Sequence, residues 1–90
     1  MKDNILIIDQ KDNVAVALRD LKAKETVVSG DTGRFSLLED IPASHKLALR
    51  DIQAAEEIIK YGEVVGVSTR EIKRGAWVHT HNLESERWKK

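Results

Sequence analysis

Ninety residues, 41% apolar and 33% charged with a single proline, describe one small globular domain rather than a disordered chain. Fifteen basic residues balance fifteen acidic ones, so no positive field exists to hold a phosphate backbone, which counts against nucleic-acid binding. The lack of cysteine excludes disulfides and thiolate metal sites, no apolar run approaches the roughly 20 residues of a membrane span, and the start MKDNILIIDQ turns acidic too early for a signal peptide. A cytoplasmic protein is expected.

In chain order, Asn4–Asp9 is a β-branched run closed by the polar turn Gln10–Asn13, and Asn13–Leu18 is a second apolar run. Glu25–Ser29 and Arg34–Leu38 flank Gly30-Asp31-Thr32-Gly33, whose glycines suit a tight turn. Pro42 biases Ile41 towards an extended backbone and opens a loop. Lys46–Leu49, Glu57–Lys60, Glu63–Thr69 and Trp77–Asn82 complete the predicted strands. Short strands separated by frequent turns predict a compact, mostly-β domain over residues 1–83, with 84–90 as a C-terminal tail whose Trp88 is a candidate for docking on a partner.

Asp51–Lys60 has helical composition, but an internal repeat argues against a helix there. Leu18–Val28 matches Leu49–Ile59, and more loosely Thr69–His79, each with an acid-aliphatic core at Asp20-Leu21, Asp51-Ile52 and Glu71-Ile72. Gly75 of the third copy, with Lys24 and Ala55 in its place elsewhere, predicts a left-handed residue that costs a non-glycine on the order of 1 kcal/mol. Each unit therefore reads as a strand, a short helical or 3₁₀ turn at the acid-aliphatic pair, and a strand.

The runs Asp12–Leu18, Ser44–Ile52, Ile59–Gly66 and Gly75–Leu83, in this order, resemble the SAF domain of the altronate/galactarate dehydratase family. The resemblance implies a β-clip fold and a role in a lyase acting on sugar acids or related hydroxy acids. It further implies that the chain is a small subunit or N-terminal module working with a large catalytic subunit, inactive alone, with a divalent metal (Fe²⁺ or Mn²⁺) held mainly by that subunit. Sulfolactate sulfo-lyase, which releases sulfite, is a related alternative; a non-catalytic module binding carbohydrate or protein is another. The family usually has glycine at the positions of Ser44 and Ala55.

The chemistry-bearing residues gather near the end. If Trp77–Asn82 is extended, His79 and His81 leave one face of a strand roughly 7 Å apart. Such a pair could ligate a metal, bind substrate oxygens or move a proton at neutral pH, although a closed metal site needs further ligands. A bend at Thr80 would remove the strand pairing. His45 and Lys46 follow the Pro42 loop, and a loop histidine is in general often only solvated. Lys60-Tyr61-Gly62 offers a cation, a phenol and a flexible turn suited to a carboxylate. Asn82 could cap the strand or donate to substrate, and Trp77 reads as core. His45, His79 and His81 are thus the candidate catalytic residues, with Lys46, Lys60, Tyr61 and Asn82 as candidate substrate contacts. A homo-oligomer is compatible with a domain this small.

Overall fold

The computed structural model of the protein describes residues 3–30 and 33–85. Nine strands run through them: β1 (Ile5–Leu6), β2 (Val14–Ala17), β3 (Thr26–Ser29), β4 (Gly33–Ser36), β5 (Lys46–Ala48), β6 (Glu57–Lys60), β7 (Glu63–Ser68), β8 (Trp77–Val78) and β9 (Leu83–Ser85). They form three antiparallel sheets, ordered β1-β2-β5-β8, β3-β4 and β6-β7-β9. The mostly-β expectation holds, and Asp51–Lys60 is not helical. Residues Asp31 and Thr32 of the expected tight turn, and Trp88 with residues 86–90, lie outside the described residues. β9 runs on through Glu84 and Ser85, expected in the tail, because they pair with Val67 and Gly66 of β7.

The repeat is fourfold rather than threefold. The further copy is Leu38–Ala48, centred on Ile41, hidden in the sequence because Glu39 stands where the other three copies have arginine. Leu21 stands to Ile52 as Ile41 stands to Ile72, an offset of 31 residues in both cases. The four central aliphatics pair off as isolated antiparallel bridges, Leu21 with Ile41 and Ile52 with Ile72, each through two backbone hydrogen bonds. All four are buried, so the acid-aliphatic pair is a bridge and not the helical turn expected there.

The turn comes just after. Glu25, His45, Glu56 and Ala76 donate their N–H to the carbonyls of Lys22, Pro42, Gln53 and Lys73, closing four β-turns. The third residue of each has positive φ: Lys24 at 74°, Ser44 at 69°, Ala55 at 66° and Gly75 at 89°. That is the mark of type II geometry. Three copies accept the left-handed strain on a residue other than glycine. Gly75 cannot be replaced so cheaply, because a Cβ there would meet the Ser36 carbonyl at 2.8 Å. Paired copies also cap one another: Asp20 accepts the Ala43 N–H, Asp40 the Ala23 N–H and Asp51 the Arg74 N–H.

All three asparagines in the chain do one job. An amide side chain offers a donor and an acceptor at the spacing of a strand's own edge, and each asparagine uses both. Asn4 bonds Thr26 C=O and Val28 N–H, Asn13 bonds Glu57 C=O and Ile59 N–H, and Asn82 bonds Trp77 C=O and His79 N–H. In repeat register these are the same two positions, five and seven residues after the central aliphatic. The corresponding strand of the remaining copy, β5, lies inside a sheet between β2 and β8.

The β2-β5-β8 sheet divides two small cores. Successive side chains point to opposite faces. Leu47 and Ala15 therefore join Ile5, Leu21, Val27, Phe35, Leu37 and Ile41 on one side. Ala48, Val14 and Val78 join Ile52, Ile58 and Ile72 on the other. This sheet, shared by both halves of the molecule, carries the site.

Candidate functional site

β5 and β8 pair with Leu47 opposite Trp77 and Lys46 opposite Val78. Continuing that register sets His45 opposite His79, both on the face of Leu47 and Trp77. The rings confirm it: His45 and His79 lie with centroids 4.9 Å apart, and Trp77 stacks on His79 at 5.2 Å with only 6° between planes. His45 lies 5.6 Å from the indole, which donates its Nε1–H to His45 Nδ1 at 3.3 Å.

The strand expected over Trp77–Asn82 stops at Val78. Residues 79–82 make a turn, closed by Asn82 N–H on the His79 carbonyl and by the Asn82 amide described above. His79 and His81 are therefore not the strand-face pair that an extended run would give. The turn folds His81 back instead, so that its ring sits 5.4 Å from Trp77 at 51°. All three histidines of the chain converge on one indole. Trp77 is both core and platform: it packs against the first core while its ring and N–H organise the imidazoles. Asn82 is buried with both ends of its amide engaged, which makes it a strap for the turn rather than a substrate contact.

The free edge of β8 is closed by side chains. Asn82 takes the Trp77 carbonyl, and Glu39 Oε2 accepts the Trp77 N–H at 2.9 Å. Sequence reasoning missed Glu39. The signal was present, since an acid at this point replaces the arginine found in the other three copies.

The lysines form a separate group. Lys46 leaves β5 on the opposite face from His45. Its pKa is lowered, first by burial and then by the Lys60 charge. Lys60 Nζ lies 4.7 Å above the Tyr61 ring. Tyr61 and Gly62 both have positive φ, 59° and 74°, which is the type I′ hairpin turn joining β6 to β7. It is not the flexible turn expected: Gly62 N–H is held by Asp12 Oδ1 at 2.8 Å, and a Cβ on Gly62 would meet Asp9 Oδ2 at 2.9 Å.

Electrostatically, the His79 imidazole is shifted towards its neutral form, first by burial and then by its neighbours His45, Lys46 and His81. A cationic neighbourhood of this kind suits an anionic ligand and keeps a neutral imidazole available at physiological pH. The chain by itself does not close a metal site. No three His, Asp or Glu side chains converge suitably among the described residues, and His45 Nδ1 is taken by the indole N–H. The face is also open. His81 is exposed, His45 and His79 half-buried, and a cavity of about 520 Å³ elsewhere, walled mainly by Ile5–Gln10 and Leu49, has no histidine in its lining.

The altronate/galactarate dehydratase SAF domain model matches residues 3–86. The chain belongs to that family. This SAF domain is 46% identical over 74 residues to altronate dehydratase of Escherichia coli K12, a match covering 82% of the chain and 15% of the relative. It is 45% identical over 73 residues to galactarate dehydratase (L-threo-forming) of the same organism, covering 79% of the chain and 13% of the relative. The chain thus spans a small fraction of those two enzymes. Against (2R)-sulfolactate sulfo-lyase subunit alpha of Paracoccus pantotrophus it is 41% identical over 64 residues, covering 69% of the chain and 96% of the relative. The family context is that of lyases, and the name of the last relative is that of one subunit of an assembly. No helix among the described residues is long and apolar enough to cross a membrane.

Proposed function

We propose that this SAF domain serves a cytoplasmic lyase that dehydrates a sugar acid such as altronate or galactarate, working as a small subunit or module on a large catalytic chain. The observation that carries this reading is the convergence of His45, His79 and His81 on Trp77 at an open face. The cluster is built and held, yet the described residues do not enclose it, which supports completion of the site by a second body. The imidazoles contribute contacts to substrate oxygens or a proton-transfer step, roles within reach of a neutral, partly buried histidine. Lys46, although on the other face of β5, is near enough to act on His79 and adds to the cationic field that a carboxylate substrate favours. Since these residues alone do not close a metal site, a divalent ion in the assembled lyase would be held mainly by the large chain.

A second reading has a specific support of its own. Near-complete coverage of a sulfo-lyase alpha subunit favours a sulfonated hydroxy acid, with sulfite leaving in place of water. Reconstitution decides between them. The domain and its large partner chain, purified separately and mixed, are assayed for dehydration of altronate and galactarate and for sulfite release from sulfolactate. Turnover is expected only from the mixture. Turnover by this domain alone, or none from the mixture with any of the three acids, would count against the proposal.

A further inference from the structure

Which nitrogen of His45 carries a proton is set by its neighbour. An indole N–H is a donor and never an acceptor, so the nitrogen that receives it must present a lone pair. Trp77 Nε1 aims at His45 Nδ1. Trp77 cannot turn away without cost, because its ring is held by the first core on one side and by the stacked His79 ring on the other. Its backbone is pinned on both polar groups by Glu39 and Asn82. The indole is thus a fixed donor and His45 the group that adapts.

We infer that Trp77 is a positioning residue that locks His45 into the neutral Nε2–H tautomer, so that His45 serves the site as a hydrogen-bond donor to an anionic or carbonyl oxygen and not as its base. Two imidazoles 4.9 Å apart then have different duties. His45 presents N–H, while His79 stacks on the face of the indole rather than bonding to its edge; among the described residues no hydrogen bond fixes its tautomer, and of these two rings it is the one left to accept a proton. The donor role towards a ligand rests on the proposed function above, whereas the tautomer does not.

Ring nitrogen spectroscopy tests the tautomer directly. In the ¹⁵N-labelled intact domain, long-range proton–nitrogen correlation spectra are expected to show His45 Nδ1 in the unprotonated range and Nε2 in the protonated range. Trp77→Phe, which keeps an aromatic ring and removes the N–H, is expected to give a mixture of tautomers. A protonated Nδ1 in the intact domain, or an unchanged tautomer in Trp77→Phe, overturns the inference. Should Trp77→Phe not fold, His45→Phe supplies the reciprocal measurement: the Trp77 indole proton is expected to move upfield and exchange faster with deuterated solvent, and an unaltered indole signal overturns the inference equally. In the reconstituted lyase, His45→Gln places an amide donor where Nε2–H stood. It is expected to keep kcat/KM within about tenfold of the parent, while His45→Ala loses about a hundredfold or more. Equal losses in both variants overturn the donor role while leaving the spectroscopic result standing.

Discussion

Two of the four repeat copies are clasped and two are open. In the first and third, Arg19 and Arg50 reach across the turn to Glu25 and Glu56, whose other carboxylate oxygens accept the Lys22 and Gln53 N–H groups. In the second, the two positions hold Glu39 and His45; in the fourth, Arg70 and Ala76. All four share one backbone, the same hydrogen-bonded turn and the same left-handed residue. The difference teaches how a repeated unit acquires a site. Where the clasp is kept, both side chains are spent on the local turn. Where it is absent, Glu39 is free to fasten β8, His45 is free to face His79, and the open copies are the ones that β5–β8 pairing brings together.

The largest test of this contrast sets activity against stability. In the reconstituted lyase, His79→Ala with His81→Ala is expected to lower kcat by about 10²–10⁴-fold with the thermal melt preserved. Glu25→Ala with Glu56→Ala should leave rates within about twofold. Steady-state assays and circular-dichroism melts of both double variants check it, and a loss of rate confined to the clasp variant would invert the comparison.

Next come the left-handed residues. Gly75→Ala places a Cβ against the Ser36 carbonyl and is expected to cost about 2–4 kcal/mol. Ala55→Gly, at φ 66° in a clasped copy, should stabilise by about 0.5–1 kcal/mol. Urea unfolding midpoints report both, and similar penalties for the two changes would deny the special role of the Ser36–Leu38 crossing.

The asparagine straps separate site from scaffold. Asn13→Ala and Asn82→Ala each leave a strand carbonyl and N–H without partners, at a cost of about 1–3 kcal/mol. Only Asn82→Ala should move the imidazole resonances of His79 and His81, because only that strap holds β8. Imidazole shifts produced by Asn13→Ala would show that the two halves are not independent.

The smallest effects are those of pH, and they fall in separate windows. Hydrogen bonds from Arg19 and Arg50, then from backbone N–H groups, hold Glu25 and Glu56 below the ordinary carboxylate range. The clasps therefore contribute stability that is complete above the unfolded value of about 4.3 and is lost as pH falls through the folded one. Solvent screening limits it to about 1 kcal/mol or less per clasp. His79 is lowered as well, but by burial and neighbouring charge. Its protonation opposes folding, so stability declines as pH drops below about 6.5 towards the folded value. Denaturation midpoints measured across acid pH should show Glu25→Gln with Glu56→Gln flattening only the lower limb, and His79→Gln only the upper.

Much of this was legible in advance, for reasons that differ by residue. Strand positions followed from β-branched runs, and Gly75 announced the left-handed turn that Lys24 and Ala55 then share. The second copy was missed because Glu39 and Pro42 alter the residues around Asp40-Ile41 while leaving that core intact. Asn4 read only as the start of a β-branched run, and Asn13 as turn chemistry and the start of the next. That each asparagine directly precedes a strand was the available sign of a shared role.

Composition and local pattern alone determined that this chain builds short strands around repeated tight turns, and which side chains carry chemistry, because turn preference and apolar alternation act over a few neighbouring residues. Only the tertiary structure decided that the histidines form one cluster. Their meeting depends on β5 pairing with β8 across more than thirty residues, and on the Asn82 strap that bends the chain at Thr80 and returns His81 to the indole. Neither contact has a signature within the reach of a local motif.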